Sequence, residues 1–204
     1  MNLAGKVAIV TGGSRDIGRA ICVKLASQGA NVAVNYRSNE AEADATLAAI
    51  AAAGGGKGIK VKGDVTKPAD VAGIVAQTRE AFGDAIHILV NNAGGLVARK
   101  TLAEMDETFF NDLMQLNVTS TFLATQAAAA HMSEGAAIVN IASIAGRDGG
   151  GPGASAYATA KGAVITFTRS MAKELGPKGI RVNAVSYTHL TLPTTDVGGW
   201  WGGG

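Results

Sequence analysis

Six short runs rich in valine and isoleucine, separated by stretches with helical spacing, constrain this chain more than any other feature. They are KVAIVTG (6–12), NVAVNY (31–36), GIKVKGDV (58–65), HILVNNAG (87–94), AAIVNIAS (136–143) and IRVNAVS (180–186). The runs are apolar nearly throughout rather than alternating, which is the pattern of strands buried on both faces of a parallel sheet. Helical patterns fall near 17–28, 39–53, 68–82, 104–130 and 155–175. Strands and helices that alternate with short links predict a doubly wound α/β fold, a parallel sheet between two helical layers. GGGK (54–57) and DGGGPG (148–153) read as loops, and no repeat or linker divides residues 1–184.

The 204 residues, 47% hydrophobic and 17% charged, suit one domain with a sizeable core. A net charge of +2, with lysines and arginines scattered, argues against nucleic acid or a membrane surface as partner. The single cysteine, Cys22, excludes an internal disulfide and suits a reducing compartment. It lies in a helical pattern, where it reads as a small buried hydrophobe. The N-terminal MNLAGK leads straight into a strand, so no signal peptide is expected. No apolar run approaches the roughly 20 residues of a membrane span, and a cytoplasmic location is expected. His87 and His131 match no motif, and no clustered ligands predict a metal.

The first strand runs into TGGSRDIG, Thr11 to Gly18, and then a helical pattern. A glycine-bearing turn between strand and helix exposes backbone N–H groups that attract phosphate. Gly12 permits the tight turn and Gly18 lets the helix pack near the strand. With Ser14, Arg15, Asp16 and Ile17 they form the candidate dinucleotide turn. Arg37 stands just past the second strand, where an acid would hold the ribose of NAD and a base accommodates a 2′-phosphate. Asn35, Tyr36 and Arg37 include no acid. Arg15 and Arg37 together therefore favour NADP(H) over NAD(H). Asp16 occupies the place of a further glycine. Aspartate tolerates left-handed dihedrals, and its carboxylate is expected to turn from the phosphate and cap the helix, partly neutralised by Arg15 and Arg19. Its charge is expected to weaken cofactor binding rather than abolish it. Asp64 and Val65 after the third run, and NNAG (91–94) after the fourth, sit at strand ends where ligands of such sheets bind.

The strongest constellation is Ser143 at the end of the fifth run, followed by YATAK, Tyr157 to Lys161. Four-residue spacing puts both side chains on one helix face. Tyrosine alone is a poor base, but a neighbouring ammonium stabilises phenolate and lowers its pKa. Such a tyrosine can give a proton to a carbonyl oxygen or take one from an alcohol. Ser143 can hydrogen-bond the same oxygen.

These motifs recur in order: TGGSRDIG, DV, NNAG, LNVTS, Ser143, YATAK and RVNAVS. Over about residues 3–186 the chain resembles the short-chain dehydrogenase/reductase family, with its Rossmann-like fold, and is most similar within it to 3-oxoacyl-(acyl-carrier-protein) reductases and their sugar-dehydrogenase relatives. The resemblance implies that Asn117 of LNVTS joins Ser143, Tyr157 and Lys161 in a catalytic tetrad. Asn117 would hold a helix kink and a water that passes protons to Lys161, and Lys161 would also grip the nicotinamide ribose. Asp64 and Val65 would flank adenine, and Asn92, Ala93 and Gly94 would line the adenosine side. The activity implied is NADP(H)-dependent hydride transfer between nicotinamide and a carbonyl or secondary alcohol, with an acyl-thioester ketone as first substrate and a sugar or small alcohol as runner-up. A non-catalytic nucleotide-binding protein is the alternative from another class.

From Val185 the chain reads VSYTHLTLPTTDVGGWWGGG, without helix or strand periodicity. VSYTHLTLPT resembles a translated transposon-type sequencing adapter, and GGWWGGG a translated run of G nucleotides. Residues 187–204 are therefore expected to be a non-native, disordered tail, and 1–186 a domain truncated before the last strand of its fold. Family members continue into a lid, a seventh strand and surfaces used in homotetramers. For this chain the reading leaves the oligomeric state open, and an inactive fragment is a third possibility.

Overall fold

The computed structural model describes residues 2–187, which form a six-stranded parallel sheet flanked by helices. The strands are β1 (Val7–Val10), β2 (Asn31–Tyr36), β3 (Gly58–Lys62), β4 (Ile88–Asn91), β5 (Ala137–Ile141) and β6 (Arg181–Val185). Their spatial order is β3-β2-β1-β4-β5-β6, with Val10 of β1 in register with Val34 on one side and Val90 on the other. The order reverses between β1 and β4, and a crevice opens at the carboxyl ends of strands at such a point.

Side chains that alternate along each strand explain why the runs are apolar throughout. Ile9, Ala33, Leu89 and Ile138 point into one core with Val71, Ile74, Ala124 and Leu175. Their neighbours Ala8, Val10, Val32, Val34 and Val90 point into the other, against Cys22, Ala26 and Ile50. The first core is covered by α3 (Pro68–Phe82), α5 (Ser120–Ala129) and the C-terminal part of α7 (Ser155–Leu175), the second by α1 (Asp16–Ser27) and α2 (Glu40–Ala53). The three expected layers are all present.

Local chemistry sets the helix ends. The Asn39 side chain accepts from Glu42 N at 3.2 Å and starts α2. Pro68 opens α3, where its missing N–H costs nothing, and Gly83 closes it. The continuous helix expected over 104–130 is three pieces. Asp106 accepts from Phe109 N at 2.7 Å and delays the start, so α4 runs Glu107–Met114. A π-helical turn, Gln115–Thr119, then inserts before α5. Beyond Ser143 a short helix, α6 (Ala145–Asp148), occupies sequence that carries no helical period. A turn of 3₁₀ helix at Gly176–Lys178 links α7 to β6.

Among the described residues no helix is long and apolar enough to cross a membrane, and no group of three histidine, cysteine or acidic side chains is placed to hold a metal. Cys22 is fully buried, and burial pushes its thiol up to about 12, which makes it an inert core residue. The tail expectation falls on residues 188–204, outside the described residues, apart from Tyr187.

Candidate active site

One cleft of about 720 Å³ opens over the switch point. Gly12, Ser14, Arg15, Asp16, Ile17 and Gly18 form its floor at the head of α1. Arg37, Asp64 and Val65 line one flank, and Asn92, Ala93 and Gly94 rise from the end of β4. Ser143, Tyr157 and Lys161 line the same cleft. Every residue expected at the cofactor site is therefore on its wall. Asn117 is not; it is fully buried behind it.

The floor is ordered by bonds that take up every carbonyl of the turn. Asn92 Nδ2 donates to Thr11 O and Gly12 O, each at 3.0 Å. The Cys22 thiol lies 3.7 Å from Gly13 O. Arg19 Nη2 donates to Ser14 O at 2.9 Å, and Arg19 N to Arg15 O at 3.0 Å. Among the described residues the N–H groups of Ser14 through Gly18 have no acceptor, whereas Gly12 N and Gly13 N are held by Asn35 Oδ1 and Asn35 O. A row of free amides with its carbonyls turned away is an anion-binding surface. Gly18 is obligatory there, because a Cβ would lie 2.2 Å from Gly12 O.

Asn35 and Thr11 were not legible as site residues. Asn35, buried within β2, also donates to Gly63 O at 2.9 Å and so ties β3 to the turn. The Thr11 hydroxyl accepts from Asn92 N and Ala93 N, each at 3.0 Å. For Asn35 the available signal was a polar residue inside an otherwise apolar strand, and for Thr11 a hydroxyl just past the end of one.

Asp16 adopts the left-handed backbone expected of it, with φ 48°. The expectation that it caps α1 is not met. Arg15 occupies the N-cap, the Asp16 carboxylate takes no helix amide, and it lies 3.6 Å from Arg15 Nε with both side chains largely in solvent. Left-handed dihedrals at the first helical residue aim the side chain off the helix end, which is why the cap cannot form. Arg19 does not neutralise it either; it pairs with Glu42 instead. Asp64 accepts from Thr66 N at 2.9 Å and from its hydroxyl at 2.8 Å. Burial opposes its ionisation, but these bonds and nearby Arg37 outweigh that and hold the carboxyl below its usual range.

At the other end, Lys161 Nζ lies 5.7 Å from the centre of the Tyr157 ring and donates to Ile141 O at 2.8 Å. Burial alone lowers its pKa from 10.5 to about 8. Ser143 Oγ accepts from Ala145 N at 3.3 Å, which leaves its O–H free to donate. Asn117 lies in the π-helical turn, donates to Gly95 O and accepts from Gly95 N, both at 3.0 Å. A Cβ on Gly94 would sit 2.6 Å from Asn117 Oδ1 and 3.2 Å from Lys161 Nζ, so this strand end is clasped between the two.

The family model for short chain dehydrogenases matches residues 6–195. The chain belongs to the short-chain dehydrogenase/reductase family. Its members are oxidoreductases acting on CH–OH or carbonyl groups of small molecules. A 3-oxoacyl-(acyl-carrier-protein) reductase of Synechocystis is 41% identical over 197 residues, 95% of this chain and 78% of that protein. A short-chain dehydrogenase of Burkholderia cenocepacia, solved in complex with NADP, is 40% identical with a TM-score of 0.86 over 91% of this chain and 75% of its own. An NADH-dependent reductase of alginate metabolism, A1-R′, solved with NAD, is 35% identical with a TM-score of 0.85 over 90% of this chain and 78% of its own. Both cofactors thus occur on closely similar folds.

Two variants probe the site's charges. Asp16→Gly removes no cap and relaxes a left-handed position, gains offset by the larger unfolded-state freedom of glycine. Its unfolding free energy should stay within about 0.5 kcal/mol of the parent, while the dissociation constant for NADPH falls. Denaturant unfolding and fluorescence titration check the pair. For Lys161, the folded pKa lies below that of the unfolded chain. Between about 8 and 10.5 the unfolded state binds more protons, so stability rises with pH across that window and the full penalty is present below it. Lys161→Met should be more stable than the parent at pH 7 by about 1–2 kcal/mol, after loss of the Ile141 bond, with the difference shrinking by pH 10. Urea unfolding at the two pH values measures it.

Proposed function

We propose that this chain carries the site of an NADP(H)-dependent reductase of ketones, with a 3-oxoacyl thioester as the substrate class of first choice. The observation that carries the reading is the single cleft that joins the free amides of residues 14–18 to Tyr157, Lys161 and Ser143. The residues present fit a dinucleotide. The amides of the turn suit a pyrophosphate, Arg15 and Arg37 a 2′-phosphate, and Asp64 and Val65 the adenine edge. When bound, the nicotinamide supplies or accepts the hydride.

The protein's own part is proton transfer and polarisation. Tyr157 gives its phenolic proton to the carbonyl oxygen, or takes one from the alcohol in the reverse direction. Lys161 on the same helix face stabilises the phenolate left behind. Ser143 donates its free O–H to the same oxygen and polarises the carbonyl. Asn117, which lies behind the cleft wall, acts as a positioning residue through its two bonds to Gly95. The 41% identity to a 3-oxoacyl-(acyl-carrier-protein) reductase supports the substrate class. A domain over residues 1–186, working in the cytoplasm, belongs to the same reading.

NADPH fluorescence titration alongside turnover of a ketone panel that includes a 3-oxoacyl thioester tests the proposal. Binding without turnover of any ketone favours a non-catalytic nucleotide-binding protein. Tyr157→Phe should lower kcat by about 10²–10⁴-fold and leave the NADPH dissociation constant nearly unchanged. Arg37→Asp should shift the NADPH-to-NADH preference by about tenfold or more toward NADH, read as the ratio of the two kcat/KM values. A parent chain that already prefers NADH contradicts the assignment of Arg15 and Arg37.

A further inference from the structure

We propose that Arg19, with Thr46 and Glu42, is a clamp that positions the dinucleotide turn from behind and joins it to the loop carrying Arg37. The proposal rests on reading that turn as a pyrophosphate site. Arg19 lies on α1 one residue past Gly18 and points away from the cleft toward α2. Its Nε donates to the Thr46 hydroxyl at 2.9 Å, and Nη2 donates to Ser14 O at 2.9 Å and Glu42 O at 3.2 Å, and pairs with the Glu42 carboxylate. The Thr46 hydroxyl lies 2.8 Å from Ser14 O and 3.0 Å from Glu42 O.

Two features give this network a role in binding rather than in packing alone. The first is direction. Ser14 O would repel a phosphate if it turned inward, and two side-chain donors from different helices hold it outward. Its orientation fixes the peptide plane between Ser14 and Arg15, and hence the direction of the Arg15 N–H. The second is continuity. Glu42 is bonded through its own amide to the Asn39 cap, and Asn39 ends the loop Arg37–Asn39 on the cleft wall. A line of contacts therefore runs from the proposed 2′-phosphate corner through Asn39, Glu42 and Arg19 to the turn. Thr46 is fully buried and Arg19 only about a third exposed, so the fork is shielded from solvent on the turn side.

The test uses the full chain. Dissociation constants for NADPH and NADH are measured by fluorescence titration for the parent, Arg19→Met, Arg19→Lys and Thr46→Val, well below each melting temperature. Losing a charge-assisted donor to Ser14 should weaken both nucleotides about tenfold in Arg19→Met. Arg19→Lys keeps the charge but not the fork and should fall between that variant and the parent. Folded Arg19→Met with parental affinity overturns the clamp and leaves the reading of the turn intact. A parent that binds neither nucleotide overturns both. Thr46→Val preserves volume, removes one of the two donors to Ser14 O, and decides the matter if Arg19→Met does not fold: about a threefold loss supports the clamp, and unchanged affinity overturns it.

Discussion

The structure depends on how one turn disposes of its own peptide groups. The carbonyl oxygens of Thr11 to Ser14 meet side-chain donors and that of Arg15 meets the Arg19 amide, while the amides of Ser14 to Gly18 are left free. A buried polar group without a partner is costly, so the turn is stable only with these donors beside it. They come from Asn92 after β4, Cys22 and Arg19 on α1, and Thr46 on α2. The switch in strand order between β1 and β4 is what brings the first of these beside the turn. The anion surface is thus a property of the sheet topology together with a few polar side chains, and the glycines only make room for it.

The same logic relates the two ends of the cleft. Gly94 leaves the end of β4 too close to Asn117 and Lys161 to carry any side chain. Asn117 holds Gly95 by both its amide and its carbonyl, which requires the helix to present the asparagine at the right depth. The π-helical turn at Gln115–Thr119 supplies that by inserting an extra residue into the α4–α5 register. Lys161 is bound in turn to Ile141 O at the end of β5, and Ser143 to Ala145 N just beyond it. Backbone contacts of this kind hold Ser143 and Lys161 in place on the cleft wall.

Much of this was legible in the sequence because it follows from periodicity and glycine placement. The parallel sheet, its six strands and the cleft-lining residues at the strand ends all appear where the apolar runs and their terminal motifs predict. The π-helical turn was not legible, because a single inserted residue barely disturbs a helical pattern over the stretch 104–130. Asn35, Arg19 and Thr46 were not, because their importance comes from partners distant in sequence. Asp16 was half legible: residue type predicted the left-handed backbone, but not that this backbone would carry the carboxylate away from the helix amides it was expected to cap.

Lys161 shows why the site cannot be judged from the folded protein's interactions alone. Its ammonium is nearly buried and, among the described residues, no carboxylate lies within ion-pairing distance of it. Its one hydrogen bond is to a neutral carbonyl, and the Tyr157 ring stands beside it. Burial with so little compensation lowers its pKa to about 8 and destabilises the folded state at neutral pH. A nearby carboxylate would relieve that strain, but on the proposed mechanism it would also neutralise the field that stabilises a phenolate at Tyr157. On that mechanism, negative charge developing on the phenol is the most favourable partner available to the uncompensated ammonium. Destabilisation of the resting protein and the proposed stabilisation of the phenolate are then one electrostatic effect, seen before and after the proposed proton transfer.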